Sequence, residues 1–278
     1  MKRIAVATDL SVRSDRAIER ALALAHDLNA ELTVISIVDD SMPADLAETV
    51  AASTRDKLRK VLDQHKGASA DIDVRVGDIV PGILGIAAET DADLLVLGLH
   101  RRRDFMDALR QTTMERIVAL SRIPVLLVQG AVTGPYETVL VAVTLSRACA
   151  SAVSSAGRIV PGAEIRAVHA LHIPYAGLTG ATPASTAAME KAMRREAGEL
   201  AEAWQRDFGL TGVEPEIITG SVHQVLDAEL KSFAPQLLSI GAHTRSGLGL
   251  HRLGAFTAEL IRQPPVDLLV ARALTGQR

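Results

Sequence analysis

The chain repeats itself, and that repetition limits the folds open to it more than any other feature. Ile4-Ala5-Val6-Ala7-Thr8-Asp9-Leu10-Ser11 returns as Val139-Leu140-Val141-Ala142-Val143-Thr144-Leu145-Ser146. Glu31-Leu32-Thr33-Val34-Ile35-Ser36-Ile37-Val38 returns as Glu164-Ile165-Arg166-Ala167-Val168-His169-Ala170-Leu171. Asp93-Leu94-Leu95-Val96-Leu97-Gly98-Leu99-His100 returns as Gln236-Leu237-Leu238-Ser239-Ile240-Gly241-Ala242-His243, and Ile123–Val128 returns in Pro265–Val270. Four matches in one order imply two copies of one unit, with small loop insertions between the matched segments. A length of 278 residues suits two domains at about 100–200 residues each. We place them at residues 1–130 and 136–273, joined by Gln129–Glu137, a short Gly- and Pro-containing linker.

Within each copy, apolar runs of about five residues alternate with longer helical patterns, as strands covered on both faces do. Ala17, Ala21, Leu24 and Leu28 mark one apolar helical stripe. The pattern predicts helices over Asp15–Leu28, Asp45–His65, Ile79–Thr90 and Met114–Leu120, and a long second helix over Ala184–Phe208 in the second copy. The order βαβαβαβαβ, twice, predicts an α/β fold with parallel strands and right-handed crossovers.

Composition removes several function classes. The net charge of −3 gives no general attraction to nucleic acid or to an anionic membrane. One Trp, two Tyr and four Phe are few for base-stacking platforms. Cys149 is the sole cysteine, so neither an intrachain disulfide nor a cysteine metal cluster can form. No apolar run nears the ~18 residues of a membrane span, and the N-terminus lacks a secretory apolar core, so a cytoplasmic protein is expected. No nucleophile elbow, Walker loop or His-Glu-x-x-His motif is present, and no enzyme is expected.

In an open parallel sheet, ligands bind beyond the carboxyl ends of the strands where strand order reverses. The segments to inspect are Thr8–Ser11 and Gly98–Thr112. Several motifs here resemble the universal stress protein family. They are the strand-Asp start, the Val74–Gly77 turn, the Leu-Leu-Val-Leu-Gly-x-His strand end at 94–100, and Thr113-Met114-Glu115-Arg116-Ile117-Val118 followed by Arg122–Val128. The resemblance covers nearly the whole chain, twice. It implies two tandem doubly wound five-stranded parallel sheets with helices on both faces, adenine-nucleotide alpha-hydrolase-like, in strand order 3-2-1-4-5. It also implies that the last strands, Val125–Val128 and Val266–Val270, join the copies into an internal pseudo-dimer, and that two chains pair as a homodimer.

ATP-binding members of that family carry Gly-x2-Gly-x9-Gly-(Ser/Thr) after the fourth strand and an Asp after the first. Glycines let the backbone approach phosphate, and helix-start amides and the hydroxyl donate to it. Both copies depart from this pattern. Copy one keeps Asp9, Gly98 and a hydroxyl at Thr112, but carries Arg101 and Gln111 at the other glycine positions. Copy two keeps Gly241 and Gly254, but carries Thr144 for the Asp, Thr244 for a glycine and Ala255 for the hydroxyl.

By resemblance, a site for ATP or AMP in copy one would use Asp9, the Val38 backbone, Gly98, His100, Arg101, Thr112 and Thr113. A lesser site in copy two would use Gly241, His243, Thr244 and Gly254. Arg101-Arg102-Arg103 reads either as an anion clamp or as a solvated loop paired to Asp104 and Asp107. Asp9 reads as a nucleoside ligand, as a turn residue, or as both. His169 and His172 fall on opposite faces of a strand and read as satisfied polar residues, and no metal is expected. Two functions stay open: a nucleotide-binding tandem stress protein, or a nucleotide-free pseudo-dimeric interaction module.

Overall fold

Strands buried on both faces need helices above and below them, and the element order supplies both layers. A computed structural model describes residues 1–65, 69–99, 111–173, 183–242, 244–247 and 250–273. The first repeat runs β1 (Arg3–Ala7), α1 (Val12–Leu28), β2 (Glu31–Val38), α2 (Ala44–Gln64), β3 (Asp71–Val76), α3 (Ile79–Glu89), β4 (Leu94–Gly98), α4 (Thr113–Leu120) and β5 (Val125–Val128). These strands lie in the order β3-β2-β1-β4-β5, the expected 3-2-1-4-5, and all four pairings are parallel. Right-handed crossovers then put α1 and α2 on one face and α3 and α4 on the other. Leu94, Leu95 and Val96 are consecutive and each 0% exposed, so both faces of β4 are covered.

The second repeat runs β6 (Thr138–Ala142), α5 (Arg147–Ile159), β7 (Glu164–Leu171), α6 (Pro183–Phe208), β8 (Glu216–Thr219), α7 (Val222–Ser232) and β9 (Leu237–Ala242). It continues through β10 (Thr244–Gly247), β11 (Leu250–Leu253), α8 (Ala255–Arg262) and β12 (Asp267–Arg272). β6 pairs in parallel with β7 and β9, and β7 with β8. The long second helix foreseen over Ala184–Phe208 is α6. β10 and β11 form an antiparallel hairpin, Thr244 opposite Leu253, which the sequence reading did not anticipate. No helix among the described residues is long and apolar enough to cross a membrane.

The chain divides into two compact units, one of Met1–Pro135 with His243–Val270, the other of Tyr136–Ala242 with Ala271–Arg278. The first unit therefore gains the hairpin, α8 and most of β12 from the second repeat. β12 adds antiparallel to β5, with Leu268, Leu269 and Val270 opposite Leu127, Leu126 and Val125. This is the strand pairing that the resemblance implied. Leu126 and Leu127 are equivalent to Leu268 and Leu269 in the repeat. Exchanging the copies therefore maps the Leu268–Leu127 pair onto the Leu126–Leu269 pair, as self-complementary contacts require. These residues are buried.

One polar cluster marks where β12 begins. The Asp267 carboxylate is 5% exposed and accepts from the Gln129 amide at 2.7 Å and the Gly130 amide at 3.1 Å. Arg20 of α1 approaches it at 3.7 Å and donates to the Gly134 carbonyl at 2.8 Å. Start of β12, end of β5, linker and α1 are thus tied by one buried ion pair and its backbone partners, all within the first unit.

Helix ends follow their side chains. Ser11, Asp78, Ser146 and Ser221 accept from amides in the first turns of α1, α3, α5 and α7, and Asn29 closes α1 in the left-handed conformation. Gly241 has a different cause. A Cβ there would lie 2.5 Å from both the Ala148 carbonyl carbon and the Cys149 nitrogen, so the glycine lets α5 sit directly on β9.

Two outcomes follow for full-length protein unfolded in urea. Gly241→Ala is expected to cost about 1–3 kcal/mol, because backbone must move. Gly85→Ala in α3, where a Cβ meets nothing within 4 Å, should instead stabilise by about 0.5–1 kcal/mol. A separate series addresses the ion pair. Asp267→Ala should cost about 3–5 kcal/mol by leaving buried donors without their acceptor. Asp267→Asn should cost less, since its carbonyl can still accept from the linker amides.

Candidate functional site

β1, β2 and β4 are parallel, so their carboxyl ends share one edge of the first unit's sheet, and α4 starts at that edge. Strand order reverses between β1 and β4, which makes this the crevice where such a sheet takes ligands. Asp9, Val38, Gly98 and Thr112 all lie along it.

The turn after β1 is built from hydroxyls. Thr8 still pairs with β2 through its amide, 2.9 Å from the Ile35 carbonyl. Its Oγ1 then receives the Leu10 amide at 3.0 Å and donates to Ser14 Oγ at 2.8 Å. Asp9 Oδ1 receives the Ser11 amide at 3.0 Å, an Asx turn, with the residue exposed. Leu10 takes a left-handed φ of 59°, which a leucine adopts at a cost of about 1–2 kcal/mol. Asp9 is therefore a turn-former whose carboxylate stands at the solvent edge of the strand end.

The second repeat keeps this backbone and changes its chemistry. Leu145 has a φ of 53°, and the Val143 amide meets the Val168 carbonyl at 2.8 Å. Cys149 stands in the place of Ser14, its thiol buried within 3.3 Å of both the amide and the hydroxyl of Thr144. The paired left-handed leucines went unnoticed in the sequence, although Leu-Ser at 10–11 and 145–146 was their visible trace. His169 Nδ1 lies 2.9 Å from the Val143 carbonyl, so it is a satisfied polar residue, as expected. Among the described residues, no cluster of three or more His, Cys, Asp or Glu side chains is arranged to hold a metal ion.

Val38 closes β2, buried, with its carbonyl accepting the Gly77 amide at 2.9 Å. Gly98 closes β4, and the next amide, of Leu99, reaches the Val128 carbonyl at 3.3 Å. Thr112 is the N-cap of α4 and half of a capping box. Its Oγ1 receives the Glu115 amide at 3.2 Å, and its own amide donates to Glu115 Oε2 at 2.7 Å. One amide that a phosphate would use is thus already taken, while the hydroxyl keeps its proton to donate. Thr113 follows as the first residue of α4, exposed. His100 and Arg101, with the rest of 101–110, lie outside the described residues.

Glu115 brings a buried negative charge to this helix start, 3% exposed in its side chain. Arg262 of α8 answers it at 3.0 Å. A cleft of about 360 Å³ opens at the ends of β4 and β5, lined by Arg16, Leu99, Gln129 and Arg262 among others. Arg16 donates to the Gln129 carbonyl at 2.9 Å. Each guanidinium has five N–H donors, so those bonds do not exhaust them. Neither arginine was singled out from the sequence, because both sit in helices remote from the phosphate motif.

In the second repeat, Gly241 serves helix packing, as shown above. Thr244 opens the β10–β11 hairpin and Gly254 caps α8 without a side-chain bond. Gly254 has an ordinary φ of −60° and open space where a Cβ would point. His243 lies outside the described residues.

The model of the universal stress protein family matches residues 1–129 and 135–272. Among solved structures, a universal stress protein from Archaeoglobus fulgidus DSM 4304 is 18% identical, with a TM-score of 0.68 over 99% of this chain and 97% of its own. A functionally unknown protein from Pseudomonas aeruginosa PAO1 is 14% identical, with a TM-score of 0.65 over 99% and 93%. A universal stress protein from Lactobacillus plantarum, 21% identical, covers 46% of this chain with 97% of its own, at a TM-score of 0.41. No curated protein sequence matches the chain.

The capping box and the ion pair behind it can be separated by substitution. Glu115→Ala, which loses both, should destabilise by about 2–4 kcal/mol. Glu115→Gln keeps the box, because Gln serves equally at that position, and should cost only about 1 kcal/mol. Urea midpoints of the two variants against the unmodified protein check this order.

Proposed function

Because the chain belongs to the universal stress protein family, we propose that its first repeat binds an adenine nucleotide, ATP or AMP, and that it does so as a sensor without turnover. The observation that carries this reading is the Asp9 turn. It holds a carboxylate at the end of β1, at the switch point between β1 and β4, where the ATP-binding members of the family place theirs. Val38 and Gly98 end the neighbouring strands, which suits a nucleoside lying across them.

The lost glycines of the phosphate motif have a physical substitute in charge. Arg16 and Arg262 line the cleft at the ends of β4 and β5, and guanidinium groups bind phosphate oxygens where backbone amides no longer can. The Thr112 hydroxyl and the exposed Thr113 at the start of α4 add donors. Arg101 extends the same reading to the segment after Gly98. In the second repeat Thr144 replaces the carboxylate, and the remaining positions, Gly241, His243, Thr244 and Gly254, lack it too. The working site is therefore placed in the first repeat.

A second reading is favoured by one contact. The Thr112 amide is already occupied by Glu115 Oε2, which closes part of the helix start against phosphate. On that reading both sites have decayed, and the chain is a cytoplasmic pseudo-dimeric interaction module that pairs with a second copy of itself. Calorimetric titration of the full chain with ATP and with AMP separates the two. Saturable heat that Asp9→Ala removes, and that Arg262→Ala weakens by about tenfold or more, supports the first reading. No heat at high micromolar nucleotide, from protein that purifies without nucleotide, supports the second.

A further inference from the structure

The second repeat carries a groove that its first-repeat counterpart does not predict. Along α6, Met193, Ala197, Leu200, Trp204 and Phe208 recur at spacings of three and four, so one apolar stripe runs down one face of the helix. Ala197 and Trp204 are buried, yet Leu200 is 55% exposed and Phe208 36%. The opposing wall is the carboxyl end of β6 and β7, with Leu145, Leu171, Thr144 and His169. The space between is about 610 Å³. That is within the range of ~300–1,000 Å³ typical of small-molecule sites.

The polar lining has one character. Glu196 and Asp207 contribute carboxylates, and neither Lys nor Arg is among the lining residues. Arg147 stands outside the lining, its guanidinium carbon 5.8 Å from the centre of the Phe208 ring. His169 donates through Nδ1, because the Val143 carbonyl can only accept. In the neutral ring Nε2 is then an acceptor. Glu196 and Asp207 stand eleven residues apart, about 16 Å along α6 at 1.5 Å per residue. The groove thus has acceptors along its length and a negative charge toward each end. The two lining carboxylates repel a phosphate, whereas a cation or neutral donor would be matched.

We propose that this groove is a binding site for a small cationic amphiphile, an apolar body ending in a protonated amine. The body lies against Leu200, Trp204 and Phe208, and the ammonium group meets Glu196 or Asp207. Thr144 and Leu171 occupy the positions of Asp9 and Val38 in the repeat. The two copies then present equivalent strand ends to ligands of opposite charge. This proposal does not depend on nucleotide binding by the first repeat.

Trp204 provides the readout. It is the sole tryptophan of the chain, it lines the groove, and its Nε1 is fixed on the Ser146 carbonyl at 2.9 Å. The full-length protein is titrated at neutral pH with octylamine, octanol and octanoate, each below its micellar concentration, while Trp204 emission is followed. Octylamine should give a saturable change at a concentration at least tenfold lower than octanoate, with octanol between. The double variant Glu196→Gln, Asp207→Asn should bring octylamine to the level of octanol and leave octanol unchanged. Leu200→Lys, at a site already half exposed, should weaken octylamine by about tenfold or more, with circular dichroism melts confirming that the variants fold. Absence of a saturable change with all three probes overturns the proposal, as does octanoate binding as tightly as octylamine. A preference for the amine that survives the double variant removes the carboxylates from it and overturns it equally. ATP and AMP, titrated in parallel, should leave Trp204 emission unchanged, so the two sites are read separately.

Discussion

The carboxylate of Asp267 sits where a strand should begin with an apolar side chain. Its counterpart in the first repeat is Val125, fully buried in β5. A buried carboxylate costs several kcal/mol unless its oxygens are satisfied, and here two linker amides and Arg20 satisfy them. The cluster fits one arrangement of its parts. Shift β12 by one residue along β5, and Asp267 leaves the amides of Gln129 and Gly130 while every leucine of the strand turns to the other face. The ion pair adds little net stability over an apolar contact of the same shape, but it penalises every other register. The antiparallel seam between β5 and β12 rests on that penalty, because its leucines and valines alone would pair acceptably in more than one way.

This also explains why the first unit borrows from the second repeat. β5 has only β4 as a partner within its own repeat, and its other edge exposes a row of unpaired amides and carbonyls. β12 covers that edge. α8 and the β10–β11 hairpin accompany it in the same unit, and Arg262 of α8 neutralises Glu115 at the start of α4. The helix start that the resemblance assigned to phosphate is therefore completed by a residue from the other copy. Its capping box and its charge balance are linked through one carboxylate.

How much of this could be read beforehand divides along a physical line. Helix positions and the alternation of strands and helices were legible because they rest on periodicity and on repeated apolar runs, signals that involve many residues at once, whereas strand order and the β5–β12 pairing came from the family resemblance. Arg20, Asp267, Arg16 and Arg262 were not, because each acts through one contact between segments far apart in sequence. The hairpin was missed for a related reason. Gly247 and Gly249 suit a short connection between strands, but a glycine pair suits an open loop equally and so does not announce a hairpin. Gly241 shows the converse error. Its conservation between copies looked like a phosphate-loop feature, yet in the second repeat the approach of Ala148 and Cys149 to β9 is reason enough for a glycine.

Both repeats hold the same left-handed leucine turn after their first strand, at Leu10 and Leu145, and that strained geometry keeps the strand ends alike. What differs toward a ligand is carried by side chains at the solvent edge. Asp9 is exposed, and Thr144 replaces it without disturbing the turn, because Ser146 still caps α5 and the Cys149 thiol receives the Thr144 amide. α6 is then free to present Glu196, Leu200 and Asp207 where the first repeat presents a carboxylate at the strand end and arginines nearby. A scaffold whose stability resides in doubly covered strands leaves its carboxyl edge chemically unconstrained. Two copies of one fold can therefore hold the same backbone at that edge and recognise opposite charges with it.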